Sequence, residues 1–178
     1  KRTKSRRKET PHLSWPTYRL PVLDSDFLLG DSMRGVRFML EYAKAEERLR
    51  AAGIRSTVVV FGSARTKPRH RWYAEAREFG RIVSLRGGAL ESNLTSRHNV
   101  IATGGGPGTM EAANRGAHDV GAPSIGFNIS LPQEQGPNPY STPELTFQFH
   151  YFAMRKMHLA MRAHGLVVFP GGFGTLDE

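Results

Sequence analysis

The sequence predicts an α/β fold, a parallel sheet with helices on both faces. Two observations carry that prediction. Short runs of apolar, β-branched-rich residues alternate with stretches of helical periodicity. Three of those runs lead straight into turns made of small residues: Gly62-Ser63-Ala64-Arg65, 104–109 and 170–175. Strands buried on both faces read as continuous apolar runs, the pattern of a parallel sheet under helices.

Taken in order, residues 1–23 read as an irregular leader, punctuated by Pro11, Pro16 and Pro21. Six of its first eight residues are basic, and a like-charge run stays solvated and extended. No aromatic is interleaved among those charges, so the leader lacks the stacking groups of a nucleic-acid arm, and no nucleic-acid partner is expected. Residues 24–53 read as a helical extension. Asp31 is the expected N-cap, Val36, Met39, Leu40, Ala43 and Leu49 recur at helical spacing, and Gly53 is the stop. From residue 54 the pattern switches to strand at 57–62, helix at 69–86, strand at 99–103, helix from 109 to 120 and strand at 124–129. A Pro/Asn-rich loop at 130–144, a short strand at 145–149, a helix at 151–163 and a strand at 165–169 follow, then a new helix start. This is the order of a Rossmann-like αβα sandwich over 54–178. Residue 1 is not Met and the chain stops as a helix opens, so that domain is expected to be truncated at its C-terminal end.

Composition removes several functions. A chain of 178 residues can bury the core of one domain. The absence of Cys removes disulfides, thiolate metal sites and a Cys nucleophile. The apolar runs fall far short of the roughly 20 residues of a membrane span, and no apolar stretch follows the basic start as in a secretory signal. A cytoplasmic location is the expectation. The net charge of +9 is largely the leader, because the rest of the chain carries 19 basic against 16 acidic residues. The seven His are scattered with no His-x-x-x-His, so no metal is expected. No Gly-x-Ser-x-Gly elbow marks a serine hydrolase.

The chemistry sits in the small-residue turns. Ligands of such sheets bind beyond the carboxyl ends of the strands, and the topology puts all three turns on that edge. In Gly104-Gly105-Gly106-Pro107-Gly108-Thr109, glycines let backbone N–H groups approach an anion and the following helix start adds partial positive charge. Thr109 occupies the position of the last Gly of a dinucleotide fingerprint, the acidic residue expected about 20 residues on is absent, and no Gly-Lys-Ser/Thr follows. The loop suits a phosphate without the marks of NAD or of a Mg-bound triphosphate; a tight turn with no ligand is the other reading. In Pro170-Gly171-Gly172-Phe173-Gly174-Thr175, Thr175 can offer a hydroxyl and an N–H to a phosphate. Thr175-x-x-Glu178 is equally the spacing of a capping box. Arg155-Lys156 reads either as a solvated pair on a helix face or as cations facing a phosphorylated ligand.

Phe61-Gly62-Ser63-Ala64-Arg65, the 104–108 loop followed by Met110-Glu111-Ala112, Met154-Arg155-Lys156 and the segment 170–178 together resemble the LONELY GUY family, in its longer bacterial form. The last segment fits the family's P-G-G-x-G-T-x-x-E signature at every fixed position. The family, often labelled "possible lysine decarboxylase", holds cytokinin riboside 5′-monophosphate phosphoribohydrolases and related nucleotide hydrolases. The resemblance implies cleavage of the N-glycosidic bond of AMP or a cytokinin riboside 5′-monophosphate to free base and ribose 5-phosphate. It implies Glu178 and Arg155 as catalytic residues. Glu178 stabilises an oxocarbenium-like state and handles the water, and Arg155 positions substrate. It implies a phosphate held by Gly105, Gly106, Gly108 and Thr109 on one side and by Gly171, Gly172, Gly174 and Thr175 on the other, with Ser63 and Lys156 as further contacts. No cofactor, no metal and a homodimer or larger homo-oligomer are expected with it. Base contacts are expected from the 130–150 region (Pro137, Asn138, Pro139, Tyr140, Phe147, Phe149) or from a partner subunit. The alternative is a non-catalytic nucleotide or molybdopterin carrier of similar fold.

Overall fold

The apolar runs become strands where they were expected. In a computed structural model that describes residues 11–90, 96–130 and 136–177, β1 spans Thr57–Phe61, β2 Val100–Thr103, β3 Ser124–Ile129, β4 Thr146–Phe149 and β5 Ala163–Val168. They form one sheet in the order β4-β3-β2-β1-β5, with every pair parallel. The basic run of the leader and Glu178 lie outside the described residues.

The chain divides into two compact units, 1–40 and 41–178. In the first, three single-turn 3-10 segments start at Pro11, Pro16 and Pro21, as the fixed φ of proline favours. A short helix α1, Ser25–Leu29, follows, and the Asp24 carboxylate accepts from the N–H of Phe27 at its start. Asp31 does not cap the long helix. It opens a 3-10 turn, Asp31–Met33, and the α-helix α2 runs Arg34–Ala51. The Arg37 guanidinium donates to the carbonyls of Leu28 and Gly30, which places the α1 end against the first turn of α2.

The second unit takes up the rest of α2, where Ala45 and Leu49 are buried in the core and Ala43 is exposed. Helices α3 (Arg71–Arg86), α4 (Thr109–His118) and α5 (Phe152–Met161) and a short α6 (Phe173–Asp177) alternate with the strands. The core centres on β1, β2 and β3, where Val60, Val100, Ile101, Ala102 and Ile125 have no exposed surface. Helices α3 and α4 pack closely because glycine sits at both contacts. A Cβ on Gly80 would strike the carbonyl of Ala113, and one on Gly116 that of Arg77. Among the described residues, no helix is long and apolar enough to cross a membrane.

All five strands run the same way, so the turns that leave β1, β2 and β5 emerge on one edge. Register fixes their relative height: Val59 pairs with both Ala102 and Leu166.

Candidate active site

Ser63 joins the three turns. Its N–H donates to the carbonyl of Pro170 at 3.3 Å, and its own carbonyl accepts from the N–H of Thr109 at 3.1 Å. Its hydroxyl oxygen accepts from the N–H of Arg65 at 3.1 Å, which folds the chain into a tight turn after β1. The hydroxyl of Thr109 donates to that of Thr66 at 3.2 Å, a second tie between the β1 turn and α4. Gly108 permits this closeness. Its φ is +72°, and a Cβ there would strike the Ser63 carbonyl and the Ala64 backbone.

Around this junction lies a cavity of about 520 Å³, bounded by Gly62, Ser63 and Arg65 on one side and Gly172, Gly174 and Thr175 on the other, with Met110 between them. That size suits a small phosphorylated ligand. Phe173 is 90% exposed.

Two expected phosphate donors are committed elsewhere. The N–H of Gly105 donates to the hydroxyl of Thr103 inside the protein, and Gly105 is buried. The N–H of Thr109 is the one held by Ser63, and Thr109 has no exposed surface. The physical reason is that a strand-to-helix turn must satisfy its own buried backbone before it serves a ligand. The N–H groups of Gly106, Gly108 and Gly172 donate to no described residue. The N–H of Thr175 donates to the carbonyl of Gly172, which begins α6. Gly171 lines the neighbouring cavity, and a Cβ there would strike the Thr175 side chain.

The Arg155-Lys156 pair divides. Arg155, on α5, is 4% exposed, and its Nε donates to the carbonyl of Phe127 at 2.7 Å. It is thus anchored under the carboxyl half of β3. Lys156 is half-buried and pairs with Asp177 at 3.2 Å, holding the end of α6. Its neighbour Glu178 lies outside the described residues.

The residues that sequence reasoning missed form a buried amide network beneath the 104–108 turn. Asn114 has no exposed surface. It accepts from Thr103 at 2.7 Å and from the Asn138 amide at 3.0 Å, and it donates to Ser124 and to the carbonyl of Ile125. Asn138 also donates to the carbonyl of Gly106, takes the Tyr140 and Ser141 N–H groups on its Oδ1, and places its own N–H on the Gly105 carbonyl. Its expected role at a base gives way to a structural one. Phe147 and Phe149, also expected at a base, are buried against Phe127. The available signal was position: Asn114 falls on the inner stripe of a helix, where an amide needs partners.

Comparison with known proteins places this geometry. The family model described as "Possible lysine decarboxylase" matches residues 110–178. The X-ray structure of TM1055, a Northeast Structural Genomics Consortium target, is similar at 25% identity with a TM-score of 0.50, over 68% of this chain and 64% of that one. The chain therefore spans a little under two thirds of that relative. The structure of the Moco carrier protein from Chlamydomonas reinhardtii is similar at 22% identity with a TM-score of 0.49, over 70% of this chain and 67% of that one. Among curated proteins, none matches. The matched segment starts at Met110 and so takes in all of α4 but its first residue, α5, Arg155 and the second glycine turn; the β1 turn and the first glycine turn precede it.

Proposed function

We propose that the chain hydrolyses the N-glycosidic bond of a nucleoside 5′-monophosphate such as AMP or a cytokinin riboside 5′-monophosphate. The observation that carries this reading is the junction at Ser63, which ties the β1 turn to the start of α4 and to the second glycine turn beside one cavity lined by all three. A phosphate there is held by the N–H groups of Gly172 and Gly174 and by the Thr175 hydroxyl, beside the start of α4 at Met110. Fixing the phosphate fixes C1′ of the ribose, and binding energy remote from the bond serves its cleavage. The C1′–N bond breaks, its electron pair leaves with the base, which takes up a proton, and water adds its hydroxyl to C1′. In this reading the Glu178 carboxylate stabilises the oxocarbenium-like state and accepts the water's proton. Arg155, anchored on the Phe127 carbonyl, positions substrate electrostatically. No step requires a cofactor or a metal.

The test separates binding from turnover. Calorimetry with AMP should show one site, and the same protein should release free base. Glu178→Ala should retain binding and lose release. Binding without any release by the unaltered chain would replace this reading with that of a nucleotide carrier.

A further inference from the structure

Beside the phosphate cavity lies a second one of about 540 Å³, lined by Arg65, Thr66, Lys67, His70, Trp72 and the Pro170–Gly171 turn. The two share Ser63 and Arg65, so they are halves of one groove around the β1 turn. Their characters differ. The first is lined mostly by small residues, with Met110 and Phe173 and only the shared Arg65 as a cation; the second adds Lys67, His70 and the Trp72 indole.

The charge of the second half is uncompensated. Residues 65–71 read Arg-Thr-Lys-Pro-Arg-His-Arg, with no acidic residue. Arg71 has a partner in Glu75 at 3.6 Å and lies over the Trp72 ring at 5.0 Å. Arg65, Lys67 and Arg69 have no ion pair among the described residues. Cations crowded on one turn repel each other, and an anion relieves that repulsion.

The turn that presents them is also fixed in shape. Ser63 Oγ holds the Arg65 N–H, Thr109 holds Thr66, and the His70 N–H donates to the Lys67 carbonyl at 2.9 Å. Nδ1 of His70 accepts from the Trp72 N–H at 3.2 Å, so the ring proton lies on Nε2, which is left as a donor. Binding to a turn already held in shape costs little ordering entropy.

We propose that this half of the groove is a second anion subsite, and that the chain prefers nucleotides bearing a second phosphate over simple monophosphates. The proposal rests on the nucleotide reading above, because the first phosphate must sit in the glycine-lined half for the second to reach Arg65, Lys67 and His70. The shared chemistry is a second phosphoryl group; its point of attachment distinguishes a 3′,5′-bisphosphate from a 5′-diphosphate.

The experiment is calorimetric titration of the full chain with AMP, adenosine 3′,5′-bisphosphate and ADP at low and moderate salt. It is repeated on Lys67→Gln/His70→Asn, whose asparagine can still cap α3 and whose two positions line only the second cavity. At least one two-phosphate ligand should bind about tenfold or more tightly than AMP, as one added charge-assisted contact allows. Salt should erode that advantage, and the double variant should reduce it to about twofold. If AMP binds and neither two-phosphate ligand binds better, the second subsite is overturned and the nucleotide reading stands. An advantage kept intact in the double variant also overturns it, because another group then holds the second phosphate. If none of the three ligands binds, the nucleotide reading itself fails.

Discussion

Ser63 shows how much one small residue can organise. Its N–H, carbonyl and hydroxyl each bond a different segment, so its place after β1 sets the distance between the two glycine turns. Gly108 is the complement of that role. Gly108→Ala should cost about 2 kcal/mol or more, from a left-handed φ and a Cβ against the Ser63 carbonyl, read as a lower melting temperature with weaker AMP binding. Asn138→Ala should also cost about 2–4 kcal/mol, because it orphans the Gly106 carbonyl and two backbone N–H groups and takes one of two donors from the Asn114 amide oxygen. At this scale the sequence was only half readable. Glycines and hydroxyls mark a phosphate-type turn, but which N–H groups stay free depends on partners such as the Thr103 hydroxyl, which Gly105 finds only after folding.

At the scale of elements, legibility was high where a segment's own pattern decides its fate. The runs at 57–61, 100–103 and 124–129 are apolar enough to be strands in any α/β context, and they are. The start of α2 was misread because an aspartate before a helical stripe is also how a 3-10 turn begins, and Arg37 selects that turn by binding the carbonyls ahead of it. Two element-level contacts can be tested. Glu46 of α2 accepts from both Arg162 at 2.9 Å and Arg50 at 2.6 Å. Glu46→Ala strands the largely buried Arg162 and should cost about 3 kcal/mol in urea unfolding. Lys156→Ala breaks a more exposed pair and should cost no more than about 1 kcal/mol, yet raise KM severalfold by loosening α6 beneath Thr175.

For the whole molecule, two buried groups make stability depend on pH in the same direction. His158 packs against Tyr42, Phe127 and Phe149, and burial pushes its imidazole below the ordinary histidine value, against the pull of the Glu46 carboxylate. The unfolded chain therefore binds the extra proton first, so stability present above about pH 6.5 falls as pH drops below it, by up to about 1.4 kcal/mol per pH unit. The hydrogen bond from Arg162, with Arg50 beside it, holds Glu46 below the usual carboxylate range against its burial, so its contribution is present above about pH 4.5 and lost below that. Melting temperatures from pH 8 to 4 should fall in two stages, and His158→Phe should remove the first. Turnover in the cavity at Ser63 decides the proposed function. Its most direct test is incubation of AMP with the full chain, with every product identified. Adenine and ribose 5-phosphate in equal amounts are expected; adenosine with inorganic phosphate, or AMP bound and returned unchanged, would overturn N-glycosidic hydrolysis.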